Sequence, residues 1–476
     1  MRLSDQRLRA LAGSRAHVHL VGVGGVGMEG LARLLMHLGC RVSGSDREPS
    51  QALDNLEADG VAVMAGHCAD AVGDGVALVI HSAAVPRDNP ELAAARHLGI
   101  DTVSRARLVA DLSHSFRTVA VAGTHGKTTT ASMLFEILEE SGRNPSCLIG
   151  GRKEGRALAG LGSGELLVLE ADEYDRGFLH LKPWMALITN VEAEHLVDTY
   201  RSEEEVVDAF SEFASGTPAD GRLLLNGDDP GCRKVSGRLA GEPDATFGIH
   251  PSNKYRAEKI GLAGDGSRFR LKTGRGEDAV EISVGVPGRH NVMNAAAAAA
   301  AADSLGVGPE AIRSALSAFT GVERRFEIKG EAGGILVVED YAHHPTEVGA
   351  AIEAARVMER PVTAAFQPHL FSRTRVFLQQ FAAALMAADR VFLTDVYGAR
   401  ESDSKGGNAG TLCDAMKQRG YEPVQYTPDK LDLPAAVAAA CAPGDLVLFL
   451  GAGDIGEVAE RTVDLLAKQS CTGGPP

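Results

Sequence analysis

No C-x-x-C pair occurs in this 476-residue chain; its seven cysteines, Cys40, Cys68, Cys147, Cys232, Cys413, Cys441 and Cys471, are scattered. That spacing encodes neither a zinc ribbon nor a disulfide scaffold, and reduced thiols are expected. No apolar run reaches membrane-spanning length, and "MRLSDQRLRALAGSRAHVHL" lacks the apolar core of a secretory leader. A cytoplasmic, soluble chain with no membrane partner is therefore expected. Basic excess is missing too. With 48 Lys and Arg against 63 Asp and Glu the net charge is −15, which argues against a nucleic-acid partner held by its backbone charge. Acidic substrates would need local Arg and Lys clusters. Low-complexity tails and internal repeats are also absent. The blandest segment is Ala295–Ala302, eight alanines in a row, and a residue that favours helices and packs closely predicts a buried helix there.

What is present is alternation. Strand-like apolar runs and helix-like ones follow each other almost throughout, the pattern of parallel α/β domains. "HVHLVGVG" (17–24), "RVSGSD" (41–46) and "ALVIHSAA" (77–84) belong to a first series. "RTVAVAG", "LLVLEA", "MALITN" and "RLLLNG" supply a second, and "GILVVED", "VTAAFQ", "RVFLTD" and "LVLFLG" a third. The length suits two to four domains. Boundaries near residues 113 and 322 give three: 1–112, 113–322 and 323–476.

Two glycine loops carry chemistry. Gly22-x-Gly24-x-x-Gly27 follows a predicted strand and opens a helix, and Asp46 ends the next strand. Glycines let a backbone approach a pyrophosphate, the helix N-terminus stabilises it, and the acid binds a sugar hydroxyl. The second loop, "VAVAGTHGKTTTASML" (119–134), lacks the first glycine of the usual phosphate-loop pattern, because Val121 stands there. Gly126, Lys127 and Thr128 are retained. Backbone N–H groups between Gly123 and Lys127 would cradle phosphate oxygens, Lys127 would reach the β/γ-phosphates, and Thr128 would coordinate Mg²⁺. Glu170 ends another apolar strand, where a carboxylate would stand beside that loop, and "TNVEAEHLVDTY" (189–200) places Asn190, Glu192, Glu194 and His195 after a further strand. A first loop read alone suggests NAD, but no dehydrogenase site follows it and the second loop demands a triphosphate.

In the third series "EDYAHHPTE" (339–347) and "FQPHLFSRTR" (366–375) lie at strand ends. Arg373 and Arg375 suit a carboxylate or phosphate, while His344-Pro345-Thr346-Glu347 is equally a helix start. "GAGDIGEV" (451–458) reads as a glycine turn for close helix–sheet packing.

These stretches, with "LNGDDP", "PGRHNVMNAAAA" and "GVERRFE", run along nearly the whole chain in an order that resembles the Mur ligases. The resemblance implies an α/β fold of three domains: a Rossmann-like N-terminal domain, a P-loop-type central ATPase domain and a Rossmann-like C-terminal domain. It implies UDP-N-acetylmuramate at the first loop, through Gly22, Gly24, Gly25, Gly27, Asp46 and Ser82. ATP would lie at Gly123, Thr124, His125, Gly126, Lys127, Thr128 and Thr129, with Asn291, Asn294, Arg325 and Asp340. One Mg²⁺ would be held by Thr128 and Glu170 and a second by Glu170 and His195, and His343 and Arg373 would face an incoming L-alanine and its carboxylate. Lys127, His195, His343 and Arg373 are thus the catalytic expectations. The implied reaction is ATP-dependent, through an acyl phosphate, in cell-wall peptidoglycan synthesis by a monomer or homodimer. The third domain is expected to close over the ATP domain during the reaction, excluding water that would hydrolyse the acyl phosphate.

Departures from the family pattern are local. "GGRKEGRALAGLG" (150–162) lacks an Asn common in this substrate loop, Leu370 stands where some members have Arg, and no lysine suits carbamylation. A tripeptide-recycling ligase of the same family shares most of these motifs, but tends to carry extra residues after its ADEYD segment, which is compact here. A nicotinamide-dependent dehydrogenase and an inactive nucleotide-binding regulator are the readings from other classes.

Overall fold

The structure, a computed structural model, describes residues 11, 14–73, 75–193, 199–273, 279–399, 401 and 407–472. Among these residues the strands form three sheets, one for each series of apolar runs. β1 (His17–Val21), β2 (Arg41–Asp46), β3 (Ala62–Ala65), β4 (Val76–His81) and β5 (Thr102–Ser104) lie parallel in the order β3-β2-β1-β4-β5. The chain direction across the sheet reverses between β1 and β4, which opens a crevice at their carboxyl ends. Helix α1 (Val26–His37) follows β1 and buries Met28, Leu31, Leu34 and Leu35 in the same cluster as Val18 and Leu20. The spacing of Met28, Leu31 and Leu35 puts them on one helical face, and each such side chain stabilises the fold by about 1.5–3 kcal/mol on burial.

The second sheet contains β6 (Arg117–Ala122), β7 (Ser146–Lys153), β8 (Arg156–Gly160), β9 (Leu166–Glu170), β10 (Met185–Ile188), β11 (Arg222–Asn226) and β12 (Ala245–Gly248), in the order β12-β11-β10-β6-β9-β7-β8. Among these seven strands the pairs are parallel except for the β7–β8 hairpin. Val119 to Ala122 of β6 are fully buried, as an unbroken apolar run in a parallel sheet requires. Helix α2 (Lys127–Glu140) leaves the loop after β6. Strand β13 (Tyr255–Ala263) begins beside β12, with Tyr255 opposite Phe247, and β14 (Gly266–Lys272) and β15 (Val280–Val284) follow. Helix α3 (Arg289–Ser304) holds the eight alanines, all fully buried.

The third sheet has the order β16-β17-β21-β18-β19-β20, from β16 (Glu327–Ala332), β17 (Ile335–Asp340), β18 (Val362–Phe366), β19 (Arg390–Leu393), β20 (Val424–Tyr426) and β21 (Leu446–Leu450). Only the β16–β17 pair is antiparallel. Helices α4 (Pro345–Arg356) and α5 (Phe371–Val376) start from the loops after β17 and β18.

Two compact units divide the chain. Residues 1–258, 271–280 and 294–316 belong to the first, with the first sheet and β6–β12. Residues 259–270, 281–293 and 317–476 belong to the second, with the third sheet; β13, β14, β15 and α3 contribute to both. Among the described residues no helix is long and apolar enough to cross a membrane.

Candidate active site

At the first loop Gly22 adopts φ 82°, a left-handed conformation that glycine takes without penalty, and its N–H donates to the Ser45 carbonyl at 2.8 Å. A side chain at Gly24 would lie 2.9 Å from Asp46 Oδ2. The Gly24 N–H donates to that same oxygen at 2.8 Å, and the Arg47 N–H donates to Oδ1 at 2.7 Å. The Asp46 carboxylate is therefore an acceptor for the loop's own backbone. Ser82, just past β4, donates its N–H to the Val21 carbonyl at 3.1 Å and flanks Gly22. Gly25 caps α1, and Gly27 faces Arg105: a side chain at Gly27 would lie 2.9 Å from a guanidinium nitrogen. Arg105 also donates to Asp172 at 3.3 Å. Gly22, Gly24, Gly25, Gly27, Asp46 and Ser82 thus meet at one sheet edge. Arg105 joins them from 78 positions beyond Gly27, with no local pattern to mark it.

The phosphate loop is built by close contacts. Gly123 has φ 137° and Gly126 φ 78°; a methyl at Gly123 would lie 2.0 Å from Thr189 Oγ1, and one at Gly126 2.4 Å from Asn294 Oδ1. Asn190 frames the turn. Its Oδ1 accepts the His125 N–H at 2.8 Å, its Nδ2 donates to the His125 carbonyl at 2.9 Å, and its own carbonyl accepts the Thr124 N–H at 3.0 Å. Two of the loop amides expected at phosphate are therefore engaged by Asn190. His125 Nε2 lies 3.6 Å from Glu192, and the Thr130 hydroxyl donates to Asn294 Oδ1 at 3.3 Å. Thr129 is buried on the first turn of α2.

Lys127 donates its ammonium to the carbonyls of Gly123 and Thr124, at 2.7 and 3.0 Å, and to both oxygens of Glu173, at 3.0 and 2.8 Å. The Thr128 hydroxyl donates to Glu170 Oε1 at 2.9 Å, and the Gly150 N–H donates to Glu170 Oε2 at 2.6 Å. A hydroxyl and a carboxylate brought together at the head of a phosphate-loop helix are the hard oxygen donors that Mg²⁺ prefers, so these residues fit that ion. His195, expected as a further ligand, and Glu194 lie outside the described residues.

The divergent segment 150–162 takes part in the β7–β8 hairpin, which packs on α1. Glu29 of α1 is fully buried, bonded to Arg33 at 3.2 Å and paired with Arg152 of the hairpin. Burial pushes its carboxyl upward against the pull of both guanidiniums.

In the second unit Asp340 ends β17 and accepts the Phe326 and Ala342 N–H groups, both at 2.8 Å. Burial raises its carboxyl to about 6, opposed by the Arg325 guanidinium. Arg325 lies 5.0 Å from the Tyr341 ring centre. Burial lowers the His290 imidazole to about 4, with Arg325 acting in the same direction. Asn291 donates to the Pro287 carbonyl at 2.8 Å. His343 bonds the Tyr341 carbonyl at 2.9 Å, and its ring meets those of Tyr341 and His369 at 5.2 and 5.8 Å. His344 and Glu347 form a capping box on α4, the helix start anticipated for that segment. Arg373 is buried on α5, preceded by Leu370 at φ 64°, a left-handed conformation uncommon outside glycine. The "GAGDIG" turn is closely packed: side chains at Gly453 and Gly456 would meet Gln367 Oε1 at 2.5 Å and Glu339 Oε1 at 2.3 Å.

Three family profiles match in chain order: Mur ligase family, catalytic domain at residues 17–117; Mur ligase middle domain at 121–302; and Mur ligase, glutamate ligase domain at 324–453. The UDP-N-acetylmuramate–L-alanine ligase of Salinibacter ruber is 41% identical over 473 residues, covering 99% of each chain. That of Rubrobacter xylanophilus is 43% identical over 461 residues, 95% of this chain and 99% of its own. Among solved structures, the UDP-N-acetylmuramate–alanine ligase of Thermotoga maritima superposes with a TM-score of 0.82 at 29% identity, covering 95% of this chain and 99% of that one. A murein peptide ligase from Psychrobacter arcticus gives a TM-score of 0.71 at 25% identity with the same coverage.

Proposed function

The chain belongs to the Mur ligase family, and on that premise we propose that it joins L-alanine to the lactyl carboxylate of UDP-N-acetylmuramate, converting ATP to ADP and phosphate. The observation that carries this reading is the near end-to-end match to ligases of that name. The reaction is the first amino-acid addition to the peptidoglycan stem, in the cytoplasm.

Three domains, 1–112, 113–322 and 323–476, divide the work. The sugar nucleotide lies on Gly22, Gly24, Gly25, Gly27 and Ser82, with Asp46 fixing the loop that receives it. ATP lies on the loop from Gly123 to Thr129, with Asn294 as a further contact. Thr128 and Glu170 would hold one Mg²⁺, and Glu170 with His195 a second. When bound, the ions supply charge neutralisation at the triphosphate oxygens. Lys127 contributes a fixed positive charge where negative charge develops on the transferring phosphoryl group.

The lactyl carboxylate oxygen bonds to the γ-phosphorus as the bond from that phosphorus to the β–γ bridging oxygen breaks, giving an acyl phosphate and ADP. The alanine amine then attacks the acyl carbon, the tetrahedral intermediate expels phosphate, and the amine gives up its proton. His343 and Arg373 face the amino acid, the buried guanidinium of Arg373 being suited to its carboxylate. Omission of alanine tests this order. With ATP and UDP-N-acetylmuramate alone, borohydride should trap the acyl phosphate as the corresponding alcohol; release of ADP only when alanine is present, with no trapped species, contradicts it.

A further inference from the structure

Lys127 is held by more acceptors than an ammonium has protons: two carbonyls and two carboxylate oxygens share three N–H donors. The carboxylate belongs to Glu173, whose side chain is 4% exposed. The Glu173 carbonyl is fixed in turn, accepting the Tyr200 hydroxyl at 3.1 Å. A triphosphate oxygen that bonds Lys127 must therefore take the place of one of these acceptors. Of the three groups, the carboxylate alone carries a full negative charge, and that charge also repels the arriving phosphate.

We propose that Glu173 is the counter-ion of Lys127 that the ATP γ-phosphate displaces, a positioning residue that sets how tightly the loop holds its nucleotide. The inference rests on the assignment of ATP to this loop. Glu173 keeps the partly buried ammonium compensated and aimed along the loop, and it weakens nucleotide binding by competing for the same N–H groups. Glu170 is distinct from it, being engaged by Thr128 and Gly150.

Calorimetry with a non-hydrolysable ATP analogue and Mg²⁺, on the full chain, tests the assignment. Charge-assisted bonds contribute more than neutral ones, so Glu173→Gln should bind the analogue on the order of tenfold more tightly, with KM for ATP falling in step. Glu173→Asp, which keeps the charge, should return affinity toward that of the unmodified protein. A purely structural role predicts the opposite sign: weaker binding and a lower melting temperature in the Gln variant. Unchanged or weaker binding by a folded Glu173→Gln protein overturns the counter-ion role while leaving ATP assigned to the loop. Failure of the unmodified protein to bind the analogue overturns both.

Discussion

The Thr128 hydroxyl lies 2.9 Å from Glu170 Oε1, so the first turn of α2 and the end of β9 present a hydroxyl and a carboxylate to one point. Replacing Glu170 by Gln keeps the shape but removes the charge that would hold a divalent cation. Turnover should fall by roughly 10²–10³-fold, the scale of losing one electrostatic contact to a transition state. Melting temperature should stay near that of the parent, and the Mg²⁺ concentration for half-maximal rate should rise. Steady-state rates across a Mg²⁺ titration measure both.

Gly126→Ala places a methyl 2.4 Å from Asn294 Oδ1 in a backbone at φ 78°. The left-handed conformation alone costs about 1–2 kcal/mol for a residue with a Cβ. The contact also displaces Asn294, a proposed ATP contact. Lower stability in denaturant titration together with weaker ATP binding is expected.

Arg152→Ala leaves the fully buried Glu29 with Arg33 as its remaining guanidinium partner. Hydrogen bonds to charged groups contribute about 1.5–3 kcal/mol, and a loss of that size should appear in the denaturant midpoint. Because Arg152 and Gly150 lie on one strand, and Gly150 donates to Glu170, KM for the sugar nucleotide and the Mg²⁺ requirement should both shift.

Asp340 holds its proton up to about pH 6, against an ordinary value of 3.8, because burial disfavours its charge. Below 3.8 both folded and unfolded states are protonated at this site. Between 3.8 and 6 the unfolded chain has released a proton that the folded protein keeps, so this group's contribution to stability declines as pH rises through that window. The full difference is on the order of 3 kcal/mol. Asp340→Asn should lose this slope, and urea unfolding at several pH values between 3.5 and 7 measures the difference.

Local grammar made much of this legible. Gly22–Gly27 and Gly123–Thr128 stand between apolar strands and helices, so strand end, loop and helix start could be read together, and the buried alanine helix followed from composition. Long-range partners were not legible. Glu29 and Arg152 are 123 positions apart, and nothing near either marks it as half of a buried pair. Glu170 was legible as the strand-end carboxylate beside the loop, where it meets Thr128; that Glu173, three positions on, meets Lys127 was not, because it is decided by how the chain turns after β9. Asp46 lay in the expected place beside the first loop, but its engagement by the Gly24 N–H depends on how β1 and β2 pair.

The most direct test is ADP formation by the full chain with ATP, Mg²⁺ and UDP-N-acetylmuramate, offered L-alanine or the stem tripeptide as the amine. Turnover that requires all components and strongly favours L-alanine is predicted. Preference for the tripeptide, or ADP release indifferent to the sugar nucleotide, would contradict it.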